Sequence, residues 1–175
     1  MAISETPVFA EADFATLKPK PGIWLSIDPE CPFDSMLPEA EWPECAIWLV
    51  AGASPGDILL SDGKGQGQRA RYIIAEGQPP IVQVLWRDGA REDGNTFYVF
   101  FALEAEPTEA DGTFVAASTW EVKCGVQNGS DIAPYRGIRP ECRPSSRDAI
   151  HSAALASRDT AEMAMRWRWL RDAGN

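Results

Sequence analysis

Between Ile81 and Val122 the chain carries three apolar runs, Ile81–Trp86, Thr96–Leu103 and Phe114–Val122, each bounded by Gly, Asp, Asn or Pro. β-Branched and aromatic residues dominate them, the composition that suits pleated, half-buried strands. In the third run Phe114, Ala116, Ser118, Trp120 and Val122 alternate with Thr113, Val115, Ala117, Thr119 and Glu121, which predicts a strand with one dry and one wetter face. The second run is apolar on both faces: Phe97, Val99, Phe101 and Leu103 oppose Tyr98 and Phe100. Such a strand is central in a sheet or lines an apolar cavity.

Shorter runs precede these. Gly22–Asp28, Cys45–Ala51, Ile58–Ser61 and Arg69–Ala75 read as strands separated by turn residues. The turn signals Asp88-Gly89 and Asp93-Gly94 and the acidic stretch Glu104–Gly112 make hairpin loops, so Arg69 to Val122 is an up-and-down antiparallel meander. Residues 1–21 are polar and acidic and read as an arm, and residues 22–175 as one β-rich domain. The span Pro29 to Glu44, with four prolines, is too broken for a regular strand or long helix and reads as a functional or mobile loop. After Pro144 the pattern turns helical. Ser145 with Asp148 resembles a capping box, and Ala149, Ala153, Ala156, Met163, Trp167 and Leu170 share one face. This predicts a C-terminal helix over 145–172, packed on the sheet, with a break possible near Ser157–Thr160. The fold class is mainly β (α+β): a curved or closed antiparallel sheet with one C-terminal helix.

Charge narrows the partners. The net charge is −10, with −13 in residues 1–135 and +3 in residues 136–175. An acidic body repels phosphate backbones, which argues against nucleic acid. No apolar run reaches the roughly 20 residues of a membrane helix, and residues 1–20 lack the features of a signal peptide, so the sequence predicts a cytoplasmic protein. The four cysteines Cys31, Cys45, Cys124 and Cys142 form no CxxC pair, and His151 is the lone histidine, so neither a metal site nor a cofactor is expected. Reduced thiols suit a cytoplasmic chain. The even count also fits two disulfides in an exported form, for example Cys31–Cys45 with Cys124–Cys142, one of three pairings.

Signals for catalysis are sparse. A Cys–His pair requires His151 with Cys142 or Cys124, and Arg139 and Arg143 beside Cys142 supply positive charge, but no known signature surrounds these cysteines. The stretch Gly63-Lys64-Gly65-Gln66-Gly67 leads into a strand, whereas phosphate-binding loops lead into helices. The acids between Asp28 and Glu44 lack calcium-loop spacing and read as a solvated surface.

Gly22-Ile23-Trp24 on the first strand, the meander and the helix after the last strand resemble a lipocalin-type barrel. In that family a Gly-x-Trp places its Trp across one end of the barrel. The resemblance covers this triplet and the order of elements. The Thr-Asp-Tyr-like turn and the Arg ending the last strand have no counterpart, so family membership is not assigned.

These readings favour a non-catalytic binder of an apolar small molecule in a pocket inside the sheet, with Tyr72, Trp86, Tyr98, Phe100, Ser118 and Trp120 as candidate ligand-binding residues. The alternative is a protein–protein interaction module, its contact surface being the Arg/Trp-rich end with Arg166, Arg168 and Trp169. A cysteine-dependent enzyme comes third. The oligomeric state is not legible.

Overall fold

A computed structural model describes residues 1–27, 30–52, 56–61, 67–87, 96–128, 131–158 and 164–173. The strands are β1 (Ile3–Ser4), β2 (Lys18–Pro19), β3 (Gly22–Ile27), β4 (Ala46–Ala51), β5 (Asp57–Ser61), β6 (Gly67–Ala75), β7 (Ile81–Arg87), β8 (Thr96–Ala105), β9 (Thr113–Phe114), β10 (Ala116–Glu121), β11 (Gly125–Asn128) and β12 (Asp131–Pro134). Helix α1 (Arg147–Arg158) and strand β13 (Met165–Arg171) complete the chain. The glycine-rich turn at 62–66, the hairpin loop at 88–95 and residues 159–163 lie outside the described residues.

Eight strands close into an antiparallel barrel in the order β3-β4-β5-β6-β7-β8-β10-β13, with β13 pairing back onto β3. The meander expected from the apolar runs is therefore closed, which removes its edges. Register assigns the faces, because cross-strand partners point the same way. Val82 opposite Phe101, Val84 opposite Val99 and Trp86 opposite Phe97 point inward. They meet Trp24, Ile74, Leu103 and Trp167 in two interior clusters. An eight-stranded barrel is just wide enough for side chains to fill, and these aromatic stripes make a packed core. Phe114 departs from the expected alternation. The strand is interrupted at Val115, and Phe114 joins the interior beside Trp24, ring centroids 5.5 Å apart.

Two layers cover parts of the outer surface. The first is α1, which buries Ala149, Ile150, Ala153 and Ala154 against the outward residues Ile81, Phe100, Ala102 and Trp120. Small alanines let the helix axis approach the strands closely. Ser146 caps the helix, its Oγ accepting from Ala149 N at 3.1 Å. At the other end Trp120 Nε1 donates to the Ala154 carbonyl at 2.9 Å. Buried Ser157 donates to the Ala153 carbonyl at 2.6 Å and accepts from Lys123 N at 2.9 Å. Among the described residues, no helix is long and apolar enough to cross a membrane.

Of the helix expected over 145–172, the structure describes Arg147–Arg158 as helix, while Met165–Arg171 is a strand. In Met165-Arg166-Trp167-Arg168-Trp169 the alternation has the period of a strand: Trp167 and Trp169 join the barrel interior, while Arg166 and Arg168 are exposed. The helix thus precedes the last barrel strand, where the lipocalin resemblance implies one after it.

The second covering layer is the proline-rich stretch before β4. A Cys31–Cys45 disulfide closes it, and Phe33 and Trp42 pack over Ile23, Leu25 and Trp48. Arg171 ties it to β13 through the Ser35 carbonyl and the Glu39 carboxylate, both at 2.8 Å. That hydrogen bond from Arg171 holds Glu39 below its ordinary pKa. A depressed carboxyl stabilises the fold above its unfolded-state pKa, and this tie is lost as pH falls through the lowered value. A second disulfide joins Cys124 to Cys142. All four cysteines are therefore paired, in place of the reduced thiols expected.

Candidate functional site

Residues 1–21 form no free arm. β1 pairs with β8, and Ala2 and Phe9 are buried. Residues 13–15 run along the end of β6 that extends past β5, with Ala15 N donating to the Ile74 carbonyl and Glu76 N to the Asp13 carbonyl, both at 2.8 Å. β2 then pairs in parallel with β9. Trp24 sits beneath this crossing and donates its indole N–H to the Lys20 carbonyl at 2.8 Å. Its ring packs on Phe114 with Ala15 and Leu17 beside it.

The polar side chain that pins this segment is Gln83, a lone amide in the apolar run of β7. Its Oε1 accepts from Val8 N (2.8 Å) and Phe9 N (3.0 Å), and its Nε2 donates to the Phe9 carbonyl (3.1 Å). Phe9 itself packs edge-on to Phe100 and His151, at centroid distances of 6.5 and 5.7 Å. Arg147 adds a bond from Nε to the Val8 carbonyl at 3.1 Å and an ion pair with Asp13. Gln83→Leu would strand the buried backbone groups of Phe9. We expect a loss of about 1–3 kcal/mol, read as a lower urea midpoint, together with faster proteolysis near residues 7–19. An unchanged midpoint would show that the segment is held by other contacts.

Between residues 7–19 and the outer face of β6–β8 lies a hollow of about 560 Å³, whose apolar lining includes Phe9, Phe14, Leu17, Ile73, Leu85 and Tyr98. Small-molecule sites typically have volumes of about 300–1,000 Å³. Glu11, Thr16, Lys18 and Arg71 supply polar groups along it. Lys18 is engaged by Asp111 at 2.6 Å; this contact, with the Thr113 hydroxyl and amide, holds the Asp111 carboxyl at about 2. Phe14 stays 45% exposed at the mouth. Tyr72 also borders the hollow, and burial pushes its hydroxyl up to about 12. Absorbance at 295 nm on raising the pH should show a tyrosinate step near about 12 that Tyr72→Phe removes. Persistence of that step in the variant would remove Tyr72 from this environment.

The structure separates the predicted ligand residues. Tyr98 borders the hollow from the outer face; Tyr72 touches it but packs in both interior clusters, and Trp86 belongs to the barrel interior. Phe100 and Trp120 are buried with α1, and Ser118 lies on the β10–β13 surface opposite Arg166. The partner-binding group is split too. Arg166 and Arg168 are exposed, while Trp169 donates its indole N–H to the Pro21 carbonyl at 2.9 Å and carries Lys20 over its ring. Both cysteines considered for a nucleophile with His151 are consumed in one disulfide, and His151 Nδ1 lies 3.0 Å from the Pro79 carbonyl. No cluster able to hold a metal ion occurs among the described residues.

Phe9, Phe14, Leu17, Gln83 and Leu85 were not singled out by sequence reasoning. The available signal was apolar residues recurring in an otherwise polar N-terminal stretch, and one amide inside an apolar strand. Comparisons with protein-family models, with curated proteins and with solved structures gave no match to this chain.

Proposed function

We propose that this β-barrel is a non-catalytic binding protein for an apolar small molecule, held between the N-terminal segment and the outer face of β6–β8. The observation that carries this reading is the roughly 560 Å³ hollow with its aromatic and aliphatic lining and few polar groups. The barrel interior supports it indirectly. Trp24, Phe114, Trp167 and their neighbours fill the closed end, and Phe14 remains exposed at the hollow instead of being packed away. Titration with an uncharged apolar fluorophore should give saturable, one-to-one binding. Phe14→Ser removes an exposed side chain, so it should weaken that binding about tenfold with little change in stability. Non-saturable binding, or saturable binding indifferent to Phe14→Ser, would count against this site.

The two disulfides favour an oxidising working environment over the cytoplasmic one predicted from sequence. A second functional reading, protein–protein contact, rests on the strip between the two covering layers. There Arg166 and Arg168 are exposed and have no ion-pair partner among the described residues. Reversing both to Glu should leave the fluorophore titration unchanged, because they lie on different strands from the hollow.

A further inference from the structure

The first hollow continues into a second. Arg71 and Leu85 line both the 560 Å³ space beneath the N-terminal segment and an 860 Å³ depression on the outer face of β5 and β6. The depression has Val50, Leu59 and Leu85 among its apolar lining and Arg69 and Arg71 as its cations. These two arginines are exposed and stand two apart on β6, on one face and about 7 Å from each other along the strand. Arg69 has no ion-pair partner among the described residues. Arg71 has only a loose one, its Nε lying 4.0 Å from Asp57, with the two side chains 80% and 73% exposed. An ion pair so open to water holds the guanidinium weakly. The acids on the groove are Asp57, at the second hollow, and Glu11, at the first. In a chain of net charge −10, this places one weakly engaged cation, Arg71, where the two hollows meet and a second, Arg69, beside it in the second hollow.

We infer that the groove takes an amphipathic anion, its apolar body beneath the N-terminal segment and its carboxylate on Arg71 and Arg69. This rests on the binding reading proposed above and adds the chemical class of the ligand. Guanidinium groups present paired N–H donors that match carboxylate oxygens.

The test is calorimetric titration of the full chain with dodecanoate, dodecanol and dodecyltrimethylammonium, each below its aggregation limit. The expected result is one-to-one dodecanoate binding at least tenfold tighter than dodecanol, with the ammonium weakest. Arg69→Gln/Arg71→Gln should bring dodecanoate to the level of dodecanol measured on the same variant, and added salt should narrow the preference in the parent protein. Both arginines are exposed, and circular dichroism checks that the double variant folds. Equal affinity for dodecanoate and dodecanol, or a preference that survives the double variant, would overturn the anion assignment while Phe14→Ser still reports on the groove. Failure of both dodecanoate and dodecanol to bind saturably would overturn the binding reading itself, and this inference with it.

Discussion

Trp24→Ala is expected to remove about 3–5 kcal/mol of stability, a large share of the 5–15 kcal/mol that holds a typical domain together. Trp24 is only 2% exposed, packs on Phe114 and bonds to the Lys20 carbonyl. Truncation leaves a cavity at the barrel end and strips the crossing segment of its support. The neighbouring Gly22 explains why the pair occurs together. Its φ is +130°, and a Cβ there would collide with the Arg171 carbonyl on β13. Glycine thus lets the first and last barrel strands approach, and tryptophan fills the space beneath. Urea unfolding followed by far-UV circular dichroism measures the loss. A Trp24→Ala protein with an unchanged midpoint would mean that the barrel end is not closed around this side chain.

Replacing Cys31 and Cys45 by Ser should cost about 3 kcal/mol, from the chain entropy regained by an unfolded loop of this length. The two residues are 14 apart in sequence and close the stretch that covers the outer face of β3 and β4. The Arg171 bonds to Ser35 and Glu39 remain in the variant, so the expected result is a lower midpoint with the strand signal intact. Denatured protein recovered without reductant should show no titratable thiol. Four free thiols in freshly isolated protein, with stability indifferent to reductant, would argue for a reducing environment and against both cross-links.

The strands were legible because each run carries its own period. Val82, Val84 and Trp86 share a face by alternation alone, and register places that face inward. Closure was not legible, because it depends on β13 meeting β3 across the whole chain. The helical reading of Met165–Arg171 rests on spacing, since Trp167 and Leu170 continue the one-faced pattern of Ala149, Ala153 and Ala156. The charge alternation Arg166, Arg168 against Trp167, Trp169 was the overriding signal. The hollow was hidden for a similar reason. Its walls come from residues 7–19 and from β6–β8, and nothing local in a polar N-terminal stretch reveals which strands it will cross. Tyr72 and Tyr98, which touch the hollow, are conspicuous in the sequence as aromatic tips on strands. Gln83 was passed over because a single amide in an apolar run declares its role only once Phe9 lies against it.

The sharpest test separates the outside of the barrel from its inside. NMR on isotopically labelled protein with dodecanoate should show intermolecular contacts to Phe14, Leu85 and Tyr98, which border the outer hollow. Contacts instead to Trp86, Phe97 and Phe101, which belong to the interior cluster, would contradict the account and place the ligand within the barrel.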